Sequence, residues 1–167
     1  KGMLGVMTAH ILYPSLLGEG EGNVPATLSR HIITDLLRHE LGFKGLIVSD
    51  SLAMKGIRNI YGIERSAVLA VKAGHDIILQ DYNSNPEITL NAVMSAVESG
   101  EIDIEQINDS VRRILTIRES LENLNNAELD PLAVQQVVGS KEHIAVAREI
   151  AERSVTVLEN RNLPFKV

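Results

Sequence analysis

Short apolar runs alternate with helix-like segments along most of the chain, and this alternation limits the possible folds more than any other feature. The apolar runs cover residues 5–9 (GVMTA), 45–48 (GLIV) and 76–79 (DIIL). The spacing of apolar residues predicts helices that start at residue 27 or 29 and end at 41, and that span 64–73, 86–98 and 103–121. Strands alternating with helices are typical of a parallel sheet with right-handed crossovers. Three such strands fit either the centre of a small open sheet or the last three strands of a (β/α)8 barrel.

The composition indicates an aliphatic core and argues against several classes of partner. The 167 residues are 44 % apolar and 23 % charged, with only 3 % aromatic residues and no tryptophan, so Ile, Leu, Val and Ala must build the core. The net charge of −6 and the lack of a basic run argue against nucleic-acid binding. No cysteine is present for a disulfide or a thiolate metal site, and no apolar stretch approaches the roughly 20 residues of a membrane span.

A carboxylate follows the second apolar run and is the strongest candidate for chemistry. Residues 45–54 read GLIVSDSLAM, which places Asp50 at the carboxyl end of a buried parallel strand, where α/β proteins keep their active sites. From position alone, a helix-capping role for Asp50 is an equal alternative. His10 ends the first run, and we expect it either to contact substrate, to orient the carboxylate, or to bond the loop backbone. Met54 either lines the floor of the pocket or belongs to the core.

Polar residues elsewhere receive structural or weaker assignments. Asp76 precedes the third run, at the amino-terminal edge of the sheet, and we expect a structural role there. Gln80 and Asp81 follow that run and are weaker candidates for substrate contact. Arg112 and Arg113 are expected to face solvent or to pair with acidic residues of their own helix.

Neither a metal site nor a cofactor is predicted. Four histidines have no partners at the spacing of metal ligands: His31, His39, His75 and His143. Residues 18–22 (GEGEG) lie in a long loop, but no Lys-Ser or Lys-Thr follows and two glutamates would repel phosphate. This glycine-rich segment is therefore interpreted as a flexible rim loop.

Beyond residue 121 a polar connection leads into a second helical region. Residues 122–130 are polar, and 133–152 have a helical pattern that breaks at Gly139 and restarts at Ser140. Residues 154–158 (SVTVL) alternate as a strand does. The predicted organisation is an α/β domain at 1–123, whose sheet is either open or part of a barrel, a helical linker at 124–152 and the start of a second unit at 153–167.

Four sequence strings follow one another in a characteristic order. They are MTAH at 7–10, LRHELGFKGLIVSDSLAMKGI at 37–57, AVKAGHDIIL at 70–79 and INDSVRRIL at 107–115. Together they resemble glycoside hydrolase family 3, and they are most similar to its bacterial β-N-acetylhexosaminidase branch. The later string REIAERSVTVLEN, at 148–160, is similar to the entry to the second α/β domain of longer members.

The resemblance implies a retaining glycosidase on a (β/α)8 TIM barrel, with Asp50 as the nucleophile of the S-D motif. Many members of the branch carry a second acidic residue after this motif, whereas this chain has Ser51. The branch takes its proton donor from an Asp-His pair, and part of its substrate site from a Lys-His pair, on segments that would precede residue 1. We therefore expect the chain to be the C-terminal half of the barrel, inactive alone and dependent on the missing N-terminal half as a partner.

The resemblance also implies a carbohydrate substrate. The expected activity is exo-hydrolysis of terminal β-linked N-acetylglucosamine from peptidoglycan or chitin-type sugars. One alternative is a β-glucosidase or xylosidase of the same family, although those members usually carry a bulky residue such as Trp after the S-D pair. Another is a non-catalytic interaction domain on a degenerate barrel. The apparent second domain favours a secreted or envelope-associated protein over a cytoplasmic one.

Overall fold

The computed structural model describes residues 2–80, 83–122 and 130–156. The chain divides into two compact units, Lys1–Asn123 and Leu124–Val167. In their described parts, the first unit combines a small parallel sheet with helices, and the second is helical. Among the described residues, no helix combines the length and apolar character that crossing a membrane would require.

The sheet of the first unit is built from β1 (Gly5–Met7) and β2 (Leu46–Val48), which pair in parallel. Strands are therefore confirmed at the first two apolar runs. Ile47, in the middle of β2, is fully buried. The chain enters β2 through Gly45, where an added Cβ would lie 2.5 Å from the carbonyl oxygen of Leu4, so only glycine fits this approach of the two backbones.

The third predicted strand, residues 76–79, lies beside β2 as expected but does not form a continuous strand. It makes a single parallel bridge, between Ile77 and Val48. The ladder stops there because the Leu79 N–H donates to the Ser49 side-chain oxygen at 2.9 Å instead of to a backbone carbonyl. The prediction of a full strand is wrong for this reason. The parallel direction still brings the carboxyl ends of the three segments to one edge.

The first predicted helix forms as a 3₁₀ turn, Ala26–Leu28, followed by a π-helix, His31–Glu40. Between them, the predicted cap Ser29 accepts a backbone N–H through its side-chain oxygen at 3.1 Å. The π-helix is followed by Gly42, whose φ of +65° lies in the left-handed region that ends helices. The long loop before it contains a second 3₁₀ turn, Pro14–Leu16.

Helix α1 (Lys55–Ala73) is longer than the predicted 64–73. The predicted connection at 56–62 is wrong, because the chain is already helical there and Gly62 only marks a kink, with φ +71° and ψ 173°. Ile57 explains the difference, since its side chain is 1 % exposed. Burying an isoleucine contributes about 2 kcal/mol, which exceeds the roughly 1 kcal/mol cost of a glycine inside a helix.

Helices α2 (Pro86–Glu98) and α3 (Ile104–Glu122) confirm the last two predicted helices of the first unit. One buried cluster joins α1, α2 and the turn that follows α2. Its members are Val68, Val71, Ala96 and Ile102. The Gln106 side chain of α3 also donates to the Val71 carbonyl oxygen of α1. Ile78 of the third segment and Ile107 of α3 pack against the same cluster, so the helices of this unit pack on one another beside residues 76–79.

The second unit contains α4 (Pro131–Val137) and α5 (Lys141–Ser154). The predicted break at Gly139 is confirmed by its φ of +73°, and the Ser140 side chain caps α5 by accepting the His143 N–H at 3.3 Å. Ser154 is the last residue of α5, so the predicted strand at 154–158 is wrong at its first residue, and residues 157–158 lie outside the described residues.

Candidate active site

Asp50 lies at the carboxyl end of β2, half-buried, where the loop to α1 begins. Its Oδ1 accepts the Ser51 N–H at 2.7 Å. The preceding Ser49 is fully buried and is tied to the next segment of the sheet by the Leu79 N–H. Asp50 is thus fixed from both sides: by a buried strand end before it and by a hydrogen-bonded turn after it.

His10 lies next to this turn, after β1. Its Nε2 contacts the Ser51 carbonyl oxygen at 2.9 Å, and its Nδ1 contacts the Thr27 hydroxyl at 2.9 Å. Both ring nitrogens are therefore occupied by protein groups, and the contact is to the loop backbone beside Asp50 rather than to its carboxylate. A contact of His10 with substrate stays a prediction.

Met54 belongs to the same turn. Its N–H donates to the Ser51 carbonyl oxygen at 3.1 Å, and its backbone starts α1. The side chain is 48 % exposed and is not a member of the buried clusters of the described residues. The structure thus brings Asp50, His10 and Met54 together around Ser51. Their predicted roles toward substrate stay predictions.

A buried polar group lies behind His10 and was not predicted from the sequence. His75 is 2 % exposed, its Nδ1 contacts the Ala70 carbonyl oxygen at 3.0 Å, and its Nε2 contacts the Thr8 hydroxyl at 2.9 Å. Thr8 in turn lies 3.2 Å from the Thr27 hydroxyl. Burial lowers the pKa of His75 to about 4, so the ring is neutral near pH 7. The sequence shows polar residues near the ends of the predicted strands. No local pattern indicates that His75, Thr8 and Thr27 contact one another.

Asp76 lies at the amino-terminal end of the third segment of the sheet, and its side chain is fully buried. It pairs with Arg38, with Arg113 at 2.8 Å, and with the Ile47 N–H at 2.8 Å. The structural role predicted for Asp76 fits these contacts. The prediction for Arg113 is wrong, because it pairs with a buried carboxylate 37 residues away and not with an acidic residue of its own helix, where it donates to the Ser110 hydroxyl. The same prediction is confirmed for Arg112, which pairs with acidic residues of α3.

A large cavity lies beside Arg38 and Arg113, the partners of Asp76, and is not lined by Asp50. It has a volume of about 630 Å³ and is lined by Arg38, Phe43, Arg113 and their neighbours. Two of its basic residues, Arg38 and Arg113, are already paired with Asp76. The chemistry of Asp50 therefore identifies the candidate site better than the size of this cavity does.

The remaining candidates have structural partners or lie outside the described residues. The Gln80 side chain donates to the Thr89 hydroxyl, and Asp81 lies outside the described residues. His31 and His39 pair with the same surface carboxylate. Within the described parts of the chain, no three or more side chains are grouped so that they could hold a metal ion.

The glycine-rich loop is anchored by Glu21 rather than open for phosphate. Glu21 accepts the Ser29 hydroxyl at 2.5 Å, the His31 N–H at 3.0 Å and the Gly18 N–H at 3.2 Å. Burial alone would raise the pKa of Glu21, but these hydrogen bonds hold it below its ordinary value. The loop is thereby tied to the start of the π-helix.

Residues 1–117 match the N-terminal domain of glycosyl hydrolase family 3. The chain belongs to this family. The family domain is a TIM-barrel-type α/β fold, in agreement with the parallel sheet and covering helices described above. Members of this family are glycoside hydrolases, whose substrates are carbohydrates.

Relatives support the same assignment. The chain is 29 % identical to a β-N-acetylglucosaminidase/β-glucosidase of Cellulomonas fimi, over 95 % of this chain and 29 % of the relative. It is 30 % identical to β-hexosaminidase A of Pseudoalteromonas piscicida, over 93 % and 28 %. The solved family 3 β-N-acetylglucosaminidase of Paenibacillus sp. FPU-7 is 35 % identical, covers 97 % of this chain and 30 % of its own, and superposes with a TM-score of 0.75. The chain thus spans less than a third of these relatives.

Proposed function

We propose that the full-length protein removes terminal β-linked N-acetylglucosamine from peptidoglycan or chitin-type sugars by a retaining mechanism, through a covalent glycosyl-Asp50 intermediate. The observation that carries this proposal is the placement of Asp50 at the carboxyl end of β2, with Oδ1 held by the Ser51 N–H at 2.7 Å. A carboxylate nucleophile must be ionised, rigid and open to the reacting carbon. Because Oδ1 is occupied, Oδ2 is the atom that we assign to the attack.

In this mechanism Asp50 Oδ2 forms a bond to the anomeric carbon while the glycosidic C–O bond breaks. A second group protonates the departing oxygen, and it then takes a proton from the water that releases the sugar and restores the carboxylate. Such a group lies about 5 to 5.5 Å from the nucleophile in retaining enzymes with two carboxylates. We assign this role to the Asp-His pair of the family, in the remainder of the full-length protein.

The choice of N-acetylglucosamine rests on the relatives. The Pseudoalteromonas protein is named a β-hexosaminidase and the Paenibacillus protein a β-N-acetylglucosaminidase, whereas the Cellulomonas protein is named both a β-N-acetylglucosaminidase and a β-glucosidase. The dual name keeps β-glucoside hydrolysis as the second candidate. Comparing aryl N-acetyl-β-glucosaminide and aryl β-glucoside as substrates of the full-length protein separates the two, since the preferred sugar shows the higher kcat/KM.

The first prediction tests the nucleophile. Asp50→Ala in the full-length protein should lower kcat by at least about 10⁴-fold, the scale seen when a covalent nucleophile is removed. Azide should then restore turnover and give a glycosyl azide of inverted configuration, because it attacks from the face that the carboxylate leaves open. Asp35→Ala is the matched control, since Asp35 is a half-exposed carboxylate on the π-helix. Turnover of Asp50→Ala within a few-fold of wild type would disprove the assignment.

A further inference from the structure

A chain of polar contacts runs from the buried interior of the first unit to the turn that holds Asp50. It consists of the His75–Thr8 contact (2.9 Å), the Thr8–Thr27 contact (3.2 Å), the Thr27–His10 contact (2.9 Å), the His10–Ser51 contact (2.9 Å) and the Ser51–Asp50 contact (2.7 Å). We call these six residues the His10 relay. Thr27 is fully buried and His75 is 2 % exposed. Water therefore cannot replace these two residues as hydrogen-bond partners within the relay.

The two carbonyl contacts fix where the ring hydrogens lie. A carbonyl oxygen can only accept, so His10 must carry its hydrogen on Nε2, which faces the Ser51 carbonyl. By the same argument His75 carries its hydrogen on Nδ1, which faces the Ala70 carbonyl. Neutral His10 and His75 are therefore opposite tautomers.

The two threonine hydroxyls complete this assignment. Thr8 donates to the bare Nε2 of His75, and Thr27 donates to the bare Nδ1 of neutral His10. The Thr8 hydrogen is shared with the Thr27 hydroxyl oxygen, to which Thr8 donates at the longer distance of 3.2 Å, so the relay is continuous from His75 to His10.

Ser51 connects His10 to the proposed nucleophile Asp50. Its carbonyl accepts from His10 and also from the Met54 N–H, while its own N–H holds Asp50 Oδ1. The carbonyl and the N–H belong to successive peptide units, so His10 does not polarise the bond to Asp50. It instead clamps the turn whose geometry sets the direction of the carboxylate.

We propose that His10 is a positioning residue for Asp50, held in its Nε2–H tautomer by the Ser51 carbonyl, anchored at its other ring nitrogen by Thr27, and acting through the Ser51 turn. This inference rests on the proposed nucleophilic role of Asp50. A displaced nucleophile slows the chemical step but leaves the binding of the substrate ground state unchanged. A misplacement of about 1 Å can lower the rate of that step about 100-fold. Loss of His10 therefore lowers kcat while KM stays near its original value.

The test compares three variants of the full-length protein on an aryl N-acetyl-β-glucosaminide. The side-chain amide of Gln reaches the place of an imidazole Nε2–H, whereas that of Asn reaches only the place of Nδ1. His10→Ala and His10→Asn should lower kcat by about 10- to 100-fold, whereas His10→Gln should keep it within a few-fold because a donor to Ser51 remains. His39→Ala, which removes a histidine that is 70 % exposed, is the matched control and should leave kcat unchanged.

A second arm does not depend on whether His10→Ala folds. Nitrogen-15 NMR of the wild-type protein should find His10 as the Nε2–H tautomer and His75 as the Nδ1–H tautomer. Thr27→Val, which keeps the shape but removes the hydroxyl, should leave the tautomer of His10 unchanged but lower kcat, because the ring loses its second anchor, and Thr27→Ser should restore kcat. The opposite tautomer of His10 in the wild type would overturn the relay.

The outcomes separate this inference from the proposed function. If Asp50→Ala stays active, the proposed function fails. If Asp50→Ala is inactive while His10→Asn and His10→Gln turn over at the same rate, or only their melting temperatures change, Asp50 keeps its role and the positioning role of His10 is wrong. Loss of one limb of the pH–rate profile in His10→Gln would also overturn it, because His10 would then exchange protons itself.

Discussion

At the scale of single residues, His75 makes the stability of the first unit depend on pH. Burial lowers its pKa from 6.5 to about 4, while Asp76 opposes this shift and Arg38 and His10 add to it. The folded state therefore binds fewer protons than the unfolded state between these values. The stabilisation from neutral His75 is full above pH 6.5 and is lost as the pH falls toward 4.

Across this pH interval the free energy of unfolding should fall by about 3 kcal/mol, at 1.36 kcal/mol per pKa unit. Urea unfolding of wild type and His75→Gln at a series of pH values measures it, because glutamine cannot titrate. The variant should show a flatter dependence than wild type between pH 6.5 and 4, whatever its stability at neutral pH. His143→Gln, on the exposed surface of α5, should keep the wild-type slope. Equal slopes for wild type and His75→Gln would contradict the assignment of a buried neutral ring.

The sequence predicts the positions of those residues that depend only on their neighbours along the chain. The position of Asp50 follows from the apolar run before it, and the placement of His10 near the same edge follows from the parallel order of the runs. Thr8 and Thr27 could not be recognised as partners of His10, because each looks like an ordinary threonine until β1 and the 3₁₀ turn meet in space.

At the scale of elements, Arg113 and Arg112 form a natural matched pair on α3. Arg113 pairs with buried Asp76 at 2.8 Å, whereas Arg112 pairs with exposed carboxylates and has 64 % of its side chain exposed. Arg113→Met should destabilise the first unit by about 2 to 3 kcal/mol, because one partner of a buried charge is lost while Arg38 remains. Arg112→Met should change stability by less than about 0.5 kcal/mol. Thermal or urea unfolding measures both, and equal effects would show that Asp76 does not tie α3 to the sheet.

The element bounds show where sequence periodicity is sufficient. Helix α2 lies at its predicted residues because its apolar positions share one face and Gly100, with a φ of +76°, follows its end. The start of α1 was missed because two glycines suggested a loop, whereas burial of Ile57 keeps the segment helical. Residues 76–79 have the composition of a strand, but the Leu79 N–H donates to the Ser49 side-chain oxygen, and this bond replaces the next backbone bond of the ladder. Both errors arise from tertiary contacts that no short window contains.

At the scale of the whole molecule, the apolar surface of the first unit bears on what surrounds it in the full-length protein. Met3, Leu4 and Met7, in and beside β1, are 69, 56 and 62 % exposed. Large apolar side chains along a strand with one neighbour are typical of a surface that another strand or chain covers. We propose that the remainder of the family barrel covers β1, as the span of less than a third of the relatives also suggests.

This proposal predicts a difference between the polypeptide of residues 1–167 and the full-length protein. Alone, the polypeptide should bind a hydrophobic dye, self-associate and lack glycosidase activity, because β1 stays uncovered and no proton donor reaches Asp50. Met7→Lys should reduce the self-association of the polypeptide but destabilise the full-length protein, where the same side chain would be buried. Ile60→Lys, at a position of α1 that is 72 % exposed, is the matched control. It should change neither the self-association of the polypeptide nor the stability of the full-length protein. A polypeptide of residues 1–167 that melts cooperatively as a monomer and cleaves substrate would contradict the proposal, since β1 would then need no cover and Asp50 no partner.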